Sequence, residues 1–223
     1  MQLVLFDCDG TLVDSAGLIH EVMMRTCAHF GHARPELSRT KGVIGLTLDL
    51  AIARVLEREH VDDEAIAMAV YYKTIFSGVR AEALHSELLF DGIRPLIDDL
   101  ASREDILIGA VTGKSRRGLD TVLDTHDFRR HFIVSRTADD CPSKPHPAMV
   151  SECCHETGMD AKDTLVIGDA VYDMQMAKAA GARAIGVSWG YASVDELRAA
   201  GADAILTHPE ELLRHIEQVY DNA

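Results

Sequence analysis

The sequence predicts an α/β fold in which a parallel β-sheet lies between two layers of helices, with a helical domain inserted near the amino terminus. Along most of the 223 residues, short apolar segments typical of strands alternate with amphipathic segments typical of helices. This alternation indicates a parallel sheet covered on both faces. It is interrupted from about residue 15 to residue 87, where only helical patterns occur. The apolar content of 47% is enough to bury a sizeable core.

Six apolar runs are the predicted strands of the sheet, at 2–7, 106–111, 131–134, 164–168, 183–187 and 204–206. The predicted helices outside the insertion are 92–102, 115–124, 146–157, 171–180, 194–200 and 209–219. Helix ends carry the expected residues, since Pro147 lies in a first turn and Gly158 and Gly181 follow last turns.

The stretch 15–87, called the helical insert below, carries amphipathic patterns such as Leu18-Ile19-Val22-Met23. We therefore expect two domains, an α/β core formed by residues 1–14 and 88–223 and a cap formed by the helical insert. Because both ends of the insert would lie above the first strand, the insert is placed to close over a site as a lid does.

The charge balance bears on which partners the protein has. There are 22 basic and 36 acidic residues, a formal charge of −14, which disfavours nucleic acid and anionic membranes as partners. No apolar run approaches the roughly 20 residues of a membrane span, and the amino terminus lacks a secretory pattern. Five cysteines without a Cys-x-x-Cys spacing favour reduced thiols. We expect a cytoplasmic protein, monomeric or homodimeric.

Two aspartates, Asp7 and Asp9, stand where the first predicted strand ends. Alternate residues of a strand point to the same side, so both carboxylates would face one point if the strand continued this far. Open α/β sheets bind ligands beyond the carboxyl ends of their strands, and a carboxylate pair suits Mg²⁺ together with a phosphate. The alternative, an Asp-Gly hairpin turn, would need a second strand immediately afterwards, where a helical pattern stands instead.

Three further strand ends carry polar residues of the same kind. Thr112 and Gly113 follow 106–111, where a hydroxyl and free N–H groups could hold a phosphate, although a simple helix cap is the alternative. Lys144 lies in the stiff segment Ser143-Lys144-Pro145-His146-Pro147, which contains two prolines, although lone lysines are usually solvated. Asp169 and Asp173 follow 164–168 one helical turn apart and can face one point, although either could be a first-turn acid.

The run Gly113-Lys114-Ser115 resembles the end of a nucleotide-binding P-loop. A P-loop would need glycine at position 108, where the chain has Ile108, and Gly109 is one residue out of register. We therefore predict no nucleotide site of this kind.

Taken in order and strand context, four motifs resemble those of the haloacid dehalogenase-like hydrolase superfamily. They are Asp7-x-Asp9-Gly10-Thr11, Thr112-Gly113, Lys144-Pro145 and Gly168-Asp169-x₃-Asp173. The resemblance covers nearly the whole chain and implies a Rossmann-like core. The helical insert resembles the α-helical cap of the branch that contains phosphoglycolate phosphatase and β-phosphoglucomutase.

The resemblance implies unequal roles for the first two aspartates. Asp7 would attack phosphorus and form an aspartyl-phosphate. Asp9 would protonate the leaving oxygen and then activate the hydrolytic water. Mg²⁺ would bind the carboxylates of Asp7 and Asp169 and the backbone carbonyl of Asp9.

The same resemblance assigns the remaining motif residues to supporting roles. Asp173 would orient a water molecule or Lys144. Thr112, the N–H of Gly113 and Lys144 would neutralise the phosphoryl oxygens.

The branch of the superfamily can be chosen by noting where this sequence departs from the residue pattern of the mutase branch. The mutase branch has a cap histidine about twelve residues after its nucleophile, where this chain has Ile19 with His20 one position off; one position turns a helical side chain by about 100°. A phosphate-binding arginine is missing, with Gly45 near its place. We therefore predict a phosphatase, and the resemblance implies that it is Mg²⁺-dependent and acts on a small phosphorylated metabolite such as phosphoglycolate. A phosphosugar mutase and a non-catalytic phosphate-binding regulatory protein are the alternatives.

A loop of the helical insert is predicted to select the substrate. Arg39, Lys41, Gly42 and Gly45 could contact the non-phosphate part, because this loop joins helices that face the site. An ordinary solvated basic loop is the alternative.

Overall fold

The computed structural model describes residues 1–82 and 87–221. Its strands are β1 (Gln2–Phe6), β2 (Val13–Asp14), β3 (Leu88–Leu89), β4 (Ile106–Val111), β5 (Phe132–Arg136), β6 (Thr164–Gly168), β7 (Arg183–Val187) and β8 (Ala204–Leu206). Its helices are α1 (Ala16–His29), α2 (Leu37–Lys41), α3 (Leu48–Val55), α4 (Asp63–Ala81), α5 (Ile93–Ala101), α6 (Arg116–Thr125), α7 (Ala148–Thr157), α8 (Val171–Ala180), α9 (Val194–Ala199) and α10 (Glu211–Asp221).

Six strands form one parallel sheet in the order β5-β4-β1-β6-β7-β8. Every residue of β1 is buried, as expected for a central parallel strand covered on both faces. The predicted α/β class is confirmed, and the predicted strand positions agree with the observed ones to within two residues. The carboxyl ends of β4, β1 and β6 lie side by side, which brings the residues after them together.

Successive residues of β1 enter different parts of the core, because a strand alternates its side chains. Val4 and Phe6 pack with buried residues of α5, α6 and α10. Leu3 and Leu5 pack with buried residues of α7, α8 and α9. The sheet therefore lies between two helical layers.

The helical insert contains α1 to α4, and α1, α3 and α4 share a hydrophobic cluster that includes Val22, Ile52 and Met68. At its junction with the sheet, β2 and β3 pair in antiparallel fashion, Val13 opposite Leu89. This two-strand pairing escaped the sequence analysis because two residues leave no periodic pattern. The domain bounds remain a prediction, and residues 83–86 of the predicted insert lie outside the described residues.

Within the described ranges, the helices are all too short or too polar to cross a membrane. The five cysteines are buried and free.

We predict that Gly109→Ala lowers the free energy of unfolding by about 1–3 kcal/mol, the usual effect of overpacking a core. A Cβ at this position would lie 2.6 Å from Val134 Cγ1, 2.7 Å from Leu5 Cδ2 and 2.8 Å from the carbonyl oxygen of Val134. The carbonyl oxygen cannot rotate away, so the strands must shift. Urea titration measures the change.

Gly17→Ala is the matched control, because nothing lies within 4 Å of a Cβ there. Alanine favours helix over glycine, so this variant should be as stable as wild type or more so. Equal stability of the Gly109→Ala and wild-type proteins would contradict the packing argument.

Candidate active site

Three carboxylates meet beyond the ends of two neighbouring strands. Asp7 follows β1 and extends its pairing, since its N–H donates to the carbonyl oxygen of Ile167 at 2.9 Å. Asp169 follows β6, and Asp173 lies in the first turn of α8. The carboxylate oxygens of Asp7, Asp169 and Asp173 lie within 4.8 Å of one another, and all three residues are buried. These three residues are called the acidic cluster below.

Three glycines leave the space that the acidic cluster occupies. A Cβ on Gly10 or on Gly190 would overlap the side chain of Asp169, and a Cβ on Gly168 would overlap that of Asp173. Gly10 also has a φ of +84°, a backbone conformation that residues other than glycine rarely adopt. The chain therefore approaches the carboxylates more closely than any larger residue would allow.

Asp169 is oriented by two hydrogen bonds. The Thr11 hydroxyl donates to Oδ1 at 3.0 Å, and the backbone N–H of Tyr191 donates to Oδ2 at 2.9 Å. Burial, together with the charges of Asp7 and Asp173, raises the pKa of Asp169 well above its usual range. Each oxygen accepts one hydrogen bond and keeps a lone pair for a further ligand.

Lys144 is the ammonium that faces the acidic cluster. Its Nζ lies 2.9 Å from Asp7 Oδ1 and 2.6 Å from Asp173 Oδ1, and its side chain is fully buried. Burial alone would lower the pKa of Lys144, but the carboxylates of Asp173 and Asp7 outweigh it and raise the pKa. The lysine is therefore held charged.

Asp7 is the least satisfied member of the acidic cluster. Apart from the ion pair with Lys144, neither of its buried carboxylate oxygens accepts a regular hydrogen bond within the described part of the chain. Burial raises the pKa of Asp7 to about 7, which Lys144 opposes and Asp173 reinforces. An additional positively charged ligand would strongly stabilise the ionised form of such a buried carboxylate.

The donor set fits a magnesium ion. Lys144 pairs with two of the three carboxylates, and a small divalent cation with oxygen ligands would offset the remaining repulsion. Asp7 and Asp169 have lone pairs to offer. Asp173 pairs with Lys144 through Oδ1 and accepts the N–H of Ala170 through Oδ2, so it is more occupied.

Asp9 lies apart from the acidic cluster. Its Oδ1 accepts a short hydrogen bond from the Ser15 hydroxyl and lies 2.8 Å from Lys114 Nζ. Because β1 ends at Phe6, strand alternation does not carry through to Asp9. The condition on which both carboxylates were expected to face one point, a strand that continues to Asp9, is therefore not met. Asp9 lines a cavity of about 950 Å³ between the helical insert and the sheet end.

Thr112 and Gly113 close the end of β4. Thr112 is buried, and its hydroxyl accepts the N–H of Lys114 at 3.2 Å. The helix cap of α6 is Ser115, which accepts the N–H of Gly118, so the cap alternative does not apply to Thr112. Gly113 lines the cavity, and a Cβ on it would overlap the carbonyl of Gly45.

The predicted specificity residues are distributed over different surroundings. Arg39 forms an ion pair with Glu57, donates to the carbonyl of Val55 and lines a separate cavity of about 490 Å³. The structure therefore does not bring Arg39 to the cavity beside Asp9.

The other three predicted residues lie against the sheet end. Lys41 Nζ is 5.3 Å from the ring centre of Tyr191, whose backbone holds Asp169. The carbonyl of Gly42 accepts the hydroxyl of Tyr172 at 3.1 Å. Gly45 lines the cavity with a φ of +100°.

Sequence reasoning missed several residues of this region. Lys114 immediately follows Thr112-Gly113, and this position could have identified it as a residue of the site. The sequence analysis considered the lysine only as part of a P-loop. Glu87 and Tyr191 contact the site from distant parts of the sequence, and no motif marks either one.

The comparisons with known proteins agree with this geometry. The family model described as haloacid dehalogenase-like hydrolase matches residues 4–187. A probable phosphatase IndB from Dickeya dadantii is 31% identical over 92% of this chain and 88% of its own length. A phosphoglycolate phosphatase from Yersinia pseudotuberculosis is 29% identical over 94% of this chain and 90% of its own length.

A third relative and a solved structure extend the comparison. An N-acetylmuramic acid 6-phosphate phosphatase from Pseudomonas putida is 28% identical over 97% of this chain and 96% of its own length. The crystal structure of a hydrolase from Pseudomonas syringae superimposes with a TM-score of 0.85 at 22% identity, covering 98% of this chain and 99% of that one; at this identity it supports the fold alone. The predicted family and the predicted enzyme class, a phosphatase-type hydrolase, are confirmed, and the chain belongs to the haloacid dehalogenase-like hydrolases.

Proposed function

We propose that this protein is a Mg²⁺-dependent phosphomonoesterase that hydrolyses a small phosphorylated metabolite through an aspartyl-phosphate on Asp7. The observation that carries the proposal is the state of Asp7, a buried carboxylate that accepts no regular hydrogen bond from the described residues yet lies 2.9 Å from a buried lysine. A carboxylate kept for structure alone would have its oxygens satisfied. An attacking carboxylate must instead keep an oxygen available for phosphorus.

The proposed reaction has two displacements at phosphorus. In the first, an Asp7 oxygen bonds to phosphorus, the ester P–O bond breaks, and Asp9 gives a proton to the leaving oxygen. In the second, water attacks phosphorus, Asp9 takes a proton from the water, and inorganic phosphate leaves with the carboxylate of Asp7 restored. Asp9 is suited to the proton work because it lies apart from the acidic cluster and lines the cavity.

The charge of the transferred group is handled by fixed donors. Lys144, the Thr112 hydroxyl and the N–H of Gly113 would face the phosphoryl oxygens at the ends of neighbouring strands. When bound, Mg²⁺ supplies positive charge between the attacking carboxylate and the anionic phosphate. Asp7, Asp169 and the backbone carbonyl of Asp9 would hold it, and Asp173 would keep Lys144 in place.

The cavity suggests where the rest of the substrate lies. The leaving group departs on the side of Asp9, and the cavity of about 950 Å³ begins there. It has room for a two-carbon acid and also for a larger sugar acid. Relatives named for phosphoglycolate and for N-acetylmuramic acid 6-phosphate make these two the substrates to test first.

The phosphatase reading is preferred over the mutase reading because of the cap histidine. His20 Nδ1 lies 2.8 Å from the Thr40 hydroxyl inside the helical insert, while Ile19 is the residue that lines the cavity. A histidine engaged in this way does not face a sugar phosphate in the cavity.

We predict that Asp7→Asn abolishes phosphate release from p-nitrophenyl phosphate in the presence of Mg²⁺, with a loss of at least about a thousandfold, because the carboxylate proposed to attack phosphorus is replaced by an amide. Phosphate release at saturating substrate is the measurement. Asp98→Asn, a half-exposed acid on α5, is the matched control and should keep wild-type turnover. Undiminished turnover by Asp7→Asn would refute the covalent mechanism.

A panel of phosphorylated metabolites separates the esterase from the mutase. We expect free phosphate in stoichiometric amounts from at least one member, with phosphoglycolate and N-acetylmuramic acid 6-phosphate included. Nuclear magnetic resonance of ³¹P follows ester and phosphate together. A sugar phosphate that isomerises without releasing phosphate would favour the mutase instead.

We predict that Gly190→Ala weakens Mg²⁺ binding by about 10- to 100-fold, the range typical of disturbed ligand orientation. The new Cβ would overlap the Cβ of Asp169, which is fixed to the backbone and cannot rotate aside. Isothermal titration calorimetry with MgCl₂ measures the affinity. Gly78→Ala, with open space around its Cβ, should bind Mg²⁺ as wild type does. Unchanged affinity in Gly190→Ala would remove Asp169 from the proposed ligand set.

A further inference from the structure

We propose that Lys114 is a positioning residue that holds the proton-transferring carboxylate of Asp9, and that Glu87 holds Lys114 in turn. The inference rests on the proposed function, because it concerns the step in which Asp9 protonates the leaving oxygen. It assigns a role to two residues that none of the four sequence motifs contains as a functional position.

The geometry is a short chain of ion pairs. Lys114 Nζ lies 2.8 Å from Asp9 Oδ1 and 2.7 Å from Glu87 Oε1. The three side chains are nearly inaccessible, with relative exposures of 8% for Lys114, 10% for Asp9 and 3% for Glu87. Ion pairs that are shielded from water hold their geometry far better than pairs on the surface.

The contacts to Asp9 select one of its two oxygens. The Ser15 hydroxyl and the Lys114 ammonium both bind Oδ1, so Oδ2 is left free of these contacts. A carboxyl group that is held at one oxygen presents the other in a fixed direction. Since a proton donor must lie within hydrogen-bond reach of the leaving oxygen, this orientation decides how well Asp9 can work.

Glu87 completes the arrangement and connects it to the helical insert. Its other oxygen, Oε2, lies 2.9 Å from Arg80 Nε on α4. Glu87 directly precedes β3, where the chain returns to the sheet, and Ser15 precedes α1, where the chain leaves it. The carboxylate of Asp9 is therefore fixed by both connections between the insert and the sheet.

Lys114 also has another conceivable role, as a point charge that binds the phosphoryl group. Lys144 already pairs with Asp7 and Asp173, whereas the two carboxylates that Lys114 contacts are those of Asp9 and Glu87. Because Lys114 contacts the carboxylate proposed to transfer the proton and not the one proposed to attack phosphorus, its contacts favour positioning over phosphate binding. The two roles predict different dependence on the leaving group.

The test compares kcat/KM for phenyl phosphate and 2,4-dinitrophenyl phosphate. Phenolate is a poor leaving group that needs a proton, and dinitrophenolate leaves without one. We expect Lys114→Met to lower kcat/KM for phenyl phosphate by about 10- to 100-fold, part of the usual contribution of a general acid, and for dinitrophenyl phosphate by less than about 3-fold. Asp9→Asn should show the same selectivity with a larger loss.

Two further variants separate positioning from folding. Glu87→Gln keeps the size of the side chain, removes its charge and should give the same selectivity in weaker form. In the double variant Lys114→Met/Glu87→Gln, both members of this ion pair are neutral, so neither position keeps a charge that has lost the other as its partner. This double variant replaces Lys114→Met in the test if Lys114→Met folds poorly. Lys162→Met is the matched control, because Lys162 is exposed and precedes the amino end of β6, away from the site; both esters should react at wild-type rates.

The outcomes distinguish the inference from the proposed function. An equal loss for both esters in Lys114→Met would overturn the positioning role and favour phosphate binding. If Asp9→Asn shows the selectivity and Lys114→Met does not, only this inference fails. If Asp7→Asn retains turnover of either ester, the proposed function fails, and the inference fails with it.

Discussion

The structure of this site depends on one electrostatic constraint, the confinement of three buried carboxylates of which two pair with the same buried lysine. Like charges at such distances repel strongly when water is excluded, and the fold contains several features that make the arrangement possible. Adjacent strands β1 and β6 deliver Asp7 and Asp169 to one edge of the sheet. Glycines before and beside these residues let the backbone come close to the carboxylates. Lys144 supplies a positive charge that is stable in a buried position because the carboxylates of Asp173 and Asp7 offset the cost of burial. Each feature would be costly without the others, so the site is best understood as one cooperative unit.

The helical insert is joined to this unit by contacts at both of its ends and along one loop. The hydroxyl of Tyr191 accepts the N–H groups of Ser15 and Ala16 at the start of α1, while the backbone of the same residue holds Asp169. On the other side, Thr47 donates its N–H to the Ser143 hydroxyl, next to Lys144. A movement of the insert would therefore be felt by the residues beside the acidic cluster. If the insert acts as a lid, closing it over the cavity would involve the same contacts that order the residues of the site.

Periodic features were predictable from the sequence, and pairwise contacts between distant residues were not. The six sheet strands were found because buried parallel strands are continuous apolar runs, and the motif residues were found because polar side chains at strand ends must share one edge of the sheet. The pairing of β2 with β3 was missed because two residues carry no period. Arg39 was expected at the site because its loop could face it, but the ion pair with Glu57 directs it elsewhere. Glu87 was missed because only the folded chain brings it to Lys114, which lies 27 positions later in the sequence.

The two aspartates that follow β1 show how close neighbours in sequence acquire different chemistry. Asp7 still pairs with β6 through its backbone and is pressed among carboxylates. Asp9 comes after the strand has ended, and its carboxylate meets a hydroxyl and a second lysine at the border of the cavity. An environment crowded with negative charge and one lysine suits a group that must receive an electrophilic phosphorus and a cation. An environment with a fixed orientation and access to the cavity suits a group that must exchange protons with a leaving group and with water. The end of the strand at Phe6 therefore gives different surroundings to the proposed nucleophile and the proposed proton donor, which lie within three residues of each other.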